Sequence, residues 1–86
     1  MAEITINTTS QVVAVANVER RTLGVHNLSA SVPVYYNVDG SDNSPVTGGF
    51  PLVPGGTVIF SGIDAGRKLR MGVASGSAVV RYQEAN

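Results

Sequence analysis

Apolar positions recur with a period of two along nearly the whole chain, the pattern of half-buried strands rather than of helices. Ile4 and Ile6 alternate with Glu3, Thr5 and Asn7, which predicts a first short strand over residues 3–8. A Val/Ala run over 11–18 predicts a second, with Val13 and Val15 on one face and Val12, Ala14 and Ala16 on the other. Alternation resumes over 22–28, placing Leu23 and Val25 together and His26 opposite them. The window 32–38, VPVYYNV, is the most β-prone of the chain. Pro33 has no N–H to give a ladder, so this strand lies at an edge or begins at the proline. Its two tyrosines fall on opposite faces, one in the core and one exposed.

Turn formers separate these runs. Residues 39–49, DGSDNSPVTGG, hold no apolar stripe and predict a long loop built on Asx turns. A short apolar piece over 50–53 leads into Pro54-Gly55-Gly56, a type II turn with proline second and glycine third. Residues 57–60 read as a strand and 62–66 as a turn. Over 68–74, Leu69, Met71 and Val73 share one face while Lys68 and Arg70 take the other. Ser75-Gly76-Ser77 predicts a hairpin loop into a last strand over 78–83, where Val80 and Tyr82 alternate with Val79 and Arg81. The expectation is an all-β fold, a small β-sandwich or jelly-roll-like barrel of about seven to eight short antiparallel strands, with no helix. Residues 1–9 have only Ile4 and Ile6 to bury. They are expected as an extended N-terminal arm that adds as an edge strand to a neighbouring subunit, leaving 10–86 as one sandwich domain.

Composition adds a constraint on stability. The chain has 86 residues and a mass of 8.9 kDa, enough for one domain whose burial barely offsets the entropy of ordering it. With no cysteine and one histidine, neither disulfides nor a zinc site can supply support. Oligomerisation or docking on a larger body is what remains. Six basic and six acidic residues give a net charge of zero, so no global field steers the protein to nucleic acid or an anionic membrane. The first fifteen residues carry Glu3 and the polar run Asn7 to Ser10, so a secretory leader is not expected, and no apolar run is long enough to span a membrane.

Candidate chemistry is thin. A nucleophilic triad needs an oriented base, and the one imidazole, His26, stands in an alternating strand. Asp39 and Asp42 lie in a Ser/Asn/Gly-rich loop where Asx capping accounts for them. The same loop offers oxygen ligands of the kind calcium takes, but without the glycine and the bidentate Glu of an EF-hand. Gly48-Gly49 and Gly55-Gly56 are followed by neither a Lys-Ser/Thr pair nor a predicted helix, so turn geometry explains them better than phosphate binding. Arg20-Arg21 and Arg67-Lys68-Arg70 are two basic clusters without an aromatic platform, which suits ion pairs with neighbouring subunits better than a nucleic-acid groove. The exposed tyrosine of Tyr35-Tyr36 suits an interface better than a sugar, because a sugar site gathers several aromatics. No catalytic residue, cofactor or metal ligand is assigned. The candidate interface residues are Ile4, Ile6, Arg20, Arg21, Tyr35, Tyr36, Arg67, Lys68 and Arg70.

The order of several segments carries a resemblance. Arg21-Thr22-Leu23-Gly24-Val25-His26-Asn27, then Val34-Tyr35-Tyr36, then the run from Gly49-Phe50-Pro51-Leu52-Val53-Pro54-Gly55-Gly56 through Thr57-Val58-Ile59-Phe60, and finally Ala78-Val79-Val80-Arg81-Tyr82-Gln83-Glu84 resemble small β-sandwich structural proteins of tailed bacteriophages. The likeness spans residues 20–84 and leaves the N-terminal segment outside. It implies a non-enzymatic virion component, commonly a head decoration or cement protein and sometimes a tail or fibre part. There are no catalytic residues to carry over. The expected partners are further copies of the chain, with a trimer the expected state, and the major capsid protein or another virion protein, in a particle assembled in the host cytoplasm. On that picture the N-terminal arm can also pair with the capsid, and Arg67, Lys68 and Arg70 face an acidic shell. The alternative is a carbohydrate- or receptor-binding module of a tail fibre or adhesin, with Tyr35, Tyr36 and the loop 39–43 as its site.

Overall fold

The alternating runs form eight strands: β1 (Ala2–Ile6), β2 (Gln11–Ala14), β3 (Thr22–Asn27), β4 (Val34–Asn37), β5 (Phe50–Leu52), β6 (Thr57–Ser61), β7 (Leu69–Gly72) and β8 (Ala78–Ala85). They are seen in a computed structural model that describes residues 2–17, 19–38, 45–62 and 64–85. Every pairing is antiparallel, in two four-stranded sheets of order β1-β8-β3-β6 and β2-β7-β4-β5. The fold is therefore an all-β sandwich. The inward positions of the two sheets, among them Ile6, Leu23, Val25 and Val80 from one and Val34, Leu69 and Met71 from the other, form a single buried core. The Tyr36 ring of β4 meets that of Phe60 on β6 edge to face, with centroids 5.6 Å apart, which places β6 over the β4 side of the opposite sheet.

Several expectations are corrected. The segment 1–9 is not a free arm: β1 pairs with β8 of its own chain, in a register that sets Ile4 against Val80 and Ile6 against Ala78. Ile6 is wholly buried, so two apolar side chains and a five-residue ladder suffice to hold this edge in its own domain. The second strand ends at Ala14. Register steps from Val12↔Arg70 to Ala14↔Leu69, so Val13 is the extra residue of a β-bulge. The bulge breaks the period of two: Val13 and Ala14 are both buried, and Val15, expected beside Val13, is 71% exposed. Residues 75–77 are not a hairpin loop, because β7 and β8 lie in different sheets and the chain crosses between them, with Gly76 at φ 73°. Two short helical turns also interrupt the β pattern, α1 (Pro45–Gly48) and a 3-10 turn at Asp64–Gly66. Pro45 of α1 is fully buried, and Val46 lies within contact distance of a side chain placed at Gly72, so this turn covers part of the outer face of the β2-β7-β4-β5 sheet. The predicted loop residues 39–44 lie outside the described residues.

The turn between β5 and β6 has the predicted chemistry. Gly56 N–H donates to Val53 O at 2.8 Å, and Gly55 stands at φ 76°, the third position of a type II turn. This turn carries the chain from one sheet to the other.

Buried polar side chains close both ends of the sandwich, one at the last residue of β3 and the other just before its first. At one end Asn27, 0% exposed, donates from Nδ2 to the carbonyls of Val32 and Leu52 at 3.0 Å and of Val53 at 3.3 Å, while its Oδ1 accepts from Ser29 N–H. Its backbone N–H donates to Gly56 O and its carbonyl accepts from Gly55 N–H. At the other end Arg20, 2% exposed, donates from Nε to Ala65 O, from Nη1 to Val15 O (3.1 Å) and Glu84 Oε1 (3.2 Å), and from Nη2 to Arg67 O (2.9 Å). One guanidinium thus ties the β2–β3 connection, the 3-10 turn, the start of β7 and the end of β8. Its five N–H donors in a planar fork suit a corner where several loop carbonyls converge.

Candidate functional site

The candidate interface residues do not assemble into one surface. Ile6 lies in the core and Ile4 packs half-buried against it. Arg20 is committed to the carbonyl cluster above, so it is a structural residue and not half of a surface cluster with Arg21, which is exposed. Arg67 is exposed, whereas Lys68 and Arg70 are half-buried. Arg70 lies on the outer face of β7 between Val12 and Asn37, with Nη1 3.4 Å from Ser10 Oγ. The expected row of charges facing solvent therefore reduces to Arg67. Tyr35 and Tyr36 take opposite faces as expected. The Tyr36 ring turns inward onto Phe60, so it cannot line a surface together with Tyr35. The loop that carried the calcium reading and part of the sugar reading lies outside the described residues.

On the outer face of the β1-β8-β3-β6 sheet, one residue from each strand forms a polar row: Glu3, Arg81, His26 and Thr57, in direct register. Arg81 donates to Glu3 Oε2 from Nη2 at 2.9 Å and from Nε at 3.3 Å, and His26 Nδ1 shares a hydrogen bond with Thr57 Oγ1 at 2.7 Å. Beside it runs a second row, Gln83, Gly24 and Ile59. Because Gly24 has no side chain, the face dips there into a hollow of about 220 Å³ between Ile59, His26 and Gln83.

Sequence reasoning missed three exposed apolar side chains, on β5, on β6 and in the turn that joins them. Phe50 and Ile59 are each 68% exposed and Val53 61%. The Phe50 ring lies 6.1 Å from that of Tyr36, so three rings run from the exposed edge to Phe60 in the core. The signal was present in the alternation. Thr57, Ile59 and Ser61 share the outward face of β6, and an isoleucine between two small polar residues at an outward position is out of place on a solvated strand.

Among the described residues, no three His, Asp or Glu side chains gather in a group that could hold a metal ion, and no helix is long and apolar enough to cross a membrane. Comparison of the chain with protein-family models, with curated proteins and with solved structures finds no match in any of the three.

Proposed function

We propose that this protein is a non-enzymatic structural component of a bacteriophage virion, an oligomeric β-sandwich that binds the outside of the capsid and stabilises it. One observation carries the reading. The segment richest in phage-like pattern, residues 49–60, forms β5, the type II turn and β6, and it bears Phe50, Val53 and Ile59, three of the exposed large apolar side chains. Exposed large apolar side chains concentrated in one short segment suit protein–protein contact more than a small-ligand site. In this reading the surroundings are the virion, reached by assembly in the host cytoplasm, and the partners are further copies of the chain and the major capsid protein. The test is co-sedimentation of purified protein with capsids prepared without it. Saturable binding that makes the shells more resistant to heat is the expected result. Absence of binding, together with binding to a glycan array, would replace this reading by the fibre-module one.

A further inference from the structure

A sandwich of two open sheets has four edge strands, each a row of unpaired backbone groups that another chain can extend unless something blocks it. Among the described residues, three of the four carry a block. The edge β1 carries Glu3, held by Arg81. The edge β2 has four residues and a bulge at Val13. The edge β5 has three residues and includes Pro51. The fourth, β6, has five residues, Thr-Val-Ile-Phe-Ser, with no charge, no proline and an unbroken register against β3.

We infer that β6 pairs antiparallel with β6 of a second copy about a two-fold axis through Ile59, joining the two sheets into one of eight strands. The strand is complementary to itself when reversed: Thr57 meets Ser61 of the second copy, Val58 meets Phe60, and Ile59 meets Ile59. Small polar residues face each other at the ends, apolar residues face each other on the core side, and no like charges are opposed. The backbone has the right phase. Asn27 N–H donates to Gly56 O, so in the alternation of an antiparallel ladder the groups of residues 58 and 60 turn toward β3. Those of Thr57, Ile59 and Ser61 then turn outward. A two-fold at Ile59 makes Ile59 with Ile59, and Thr57 with Ser61, hydrogen-bonded pairs that exchange both bonds.

The occupant is a second copy because the pattern is palindromic about a single residue, which an unrelated strand has no reason to match. On the outward face the two Ile59 side chains, each 68% exposed in the single chain, meet at the axis. A five-residue edge buries less than the roughly 1,200–2,000 Å² of a standard interface, so the association is of the weak, concentration-dependent kind. The inference rests on the edge alone and holds whether or not the protein is a virion component. It replaces the expected three-fold state by a two-fold one.

Sedimentation equilibrium on the full chain, up to high micromolar concentration, tests it, with Ile59→Lys as the variant. Ile59 is 68% exposed, so lysine there leaves the fold intact, checked by circular dichroism, while setting two charges against each other at the axis. The wild type should approach twice 8.9 kDa, and Ile59→Lys should weaken association about tenfold or more. Because the chain has no cysteine, Ile59→Cys supplies a second reading that does not depend on the lysine variant folding. A short bismaleimide should link it to a dimer efficiently and should not link Val15→Cys, which is exposed but away from this edge. A wild type that stays monomeric or forms a trimer, a folded Ile59→Lys with undiminished dimerisation, or equal linking of the two cysteine variants would overturn the inference.

Discussion

Replacing Arg20 with alanine should remove a large share of the chain's stability, although among the described residues its side chain makes a single ion pair. Its partner there, Glu84, has a side chain 40% exposed, and a half-solvated pair of this kind is worth about 0–1 kcal/mol. The carbonyls are the larger effect. Arg20→Ala removes the donor to Ala65 O, which is buried and loses about 1–3 kcal/mol when left unsatisfied. It also removes the donors to Val15 O and Arg67 O, which are part-buried and recover some hydration. With the lost packing of the aliphatic stem, the sum is about 3–5 kcal/mol, the range found when one member of a buried charged pair is removed. A chain of this length has only roughly 4–13 kcal/mol of total stability. Urea denaturation followed by far-ultraviolet circular dichroism measures the difference, and the melting temperature should fall by at least about 12 °C. Glu84→Gln keeps an acceptor for Nη1 and should cost less than about 1 kcal/mol. The reasoning is refuted if Arg20→Ala lies within about 1 kcal/mol of wild type, or if Glu84→Gln costs as much as Arg20→Ala.

Two further perturbations follow from backbone geometry and from the N-terminal edge. Gly55→Ala forces a side chain into φ 76° and should cost about 1–2 kcal/mol, whereas Gly24→Ala meets no atom within 4 Å and has no positive φ, so it should be neutral or stabilising by a few tenths to about 1 kcal/mol; the paired urea midpoints check both. Ile6→Ala should cost about 2–5 kcal/mol and deletion of residues 2–6 more, both read by thermal melting, because Ile6 is fully buried and β1 completes the ladder on β8.

The period of two was sufficient to read an all-β chain, the number of its strands and, in most of them, which side faces inward. Leu23 and Val25, Leu69, Met71 and Val73, and Val80 are buried as the alternation requires, because in a strand the face of a residue follows from its parity alone. The Pro54-Gly55-Gly56 turn was legible for a similar reason: proline sets one dihedral, glycine permits the next, and both are properties of adjacent residues. Parity fails where the chain inserts a residue. The bulge at Val13 inverts the faces beyond it, and nothing in the Val/Ala run marks the insertion, because the partner strand β7 is far off in sequence. The same distance hid which strands pair. Ser75-Gly76-Ser77 is good hairpin chemistry, yet β7 and β8 enter different sheets, since the core between the sheets is filled only when each finds its own neighbours. Arg20 shows the limit most directly. Beside Arg21 it reads as half of a surface charge cluster, and only the convergence of Val15, Ala65, Arg67 and Glu84 on its guanidinium makes burial of that charge favourable. The exposed edge at β6 was settled the same way, because whether Thr57–Ser61 is a central strand or an open one depends on what lies beside it, and antiparallel neighbours are chosen by packing across the whole chain.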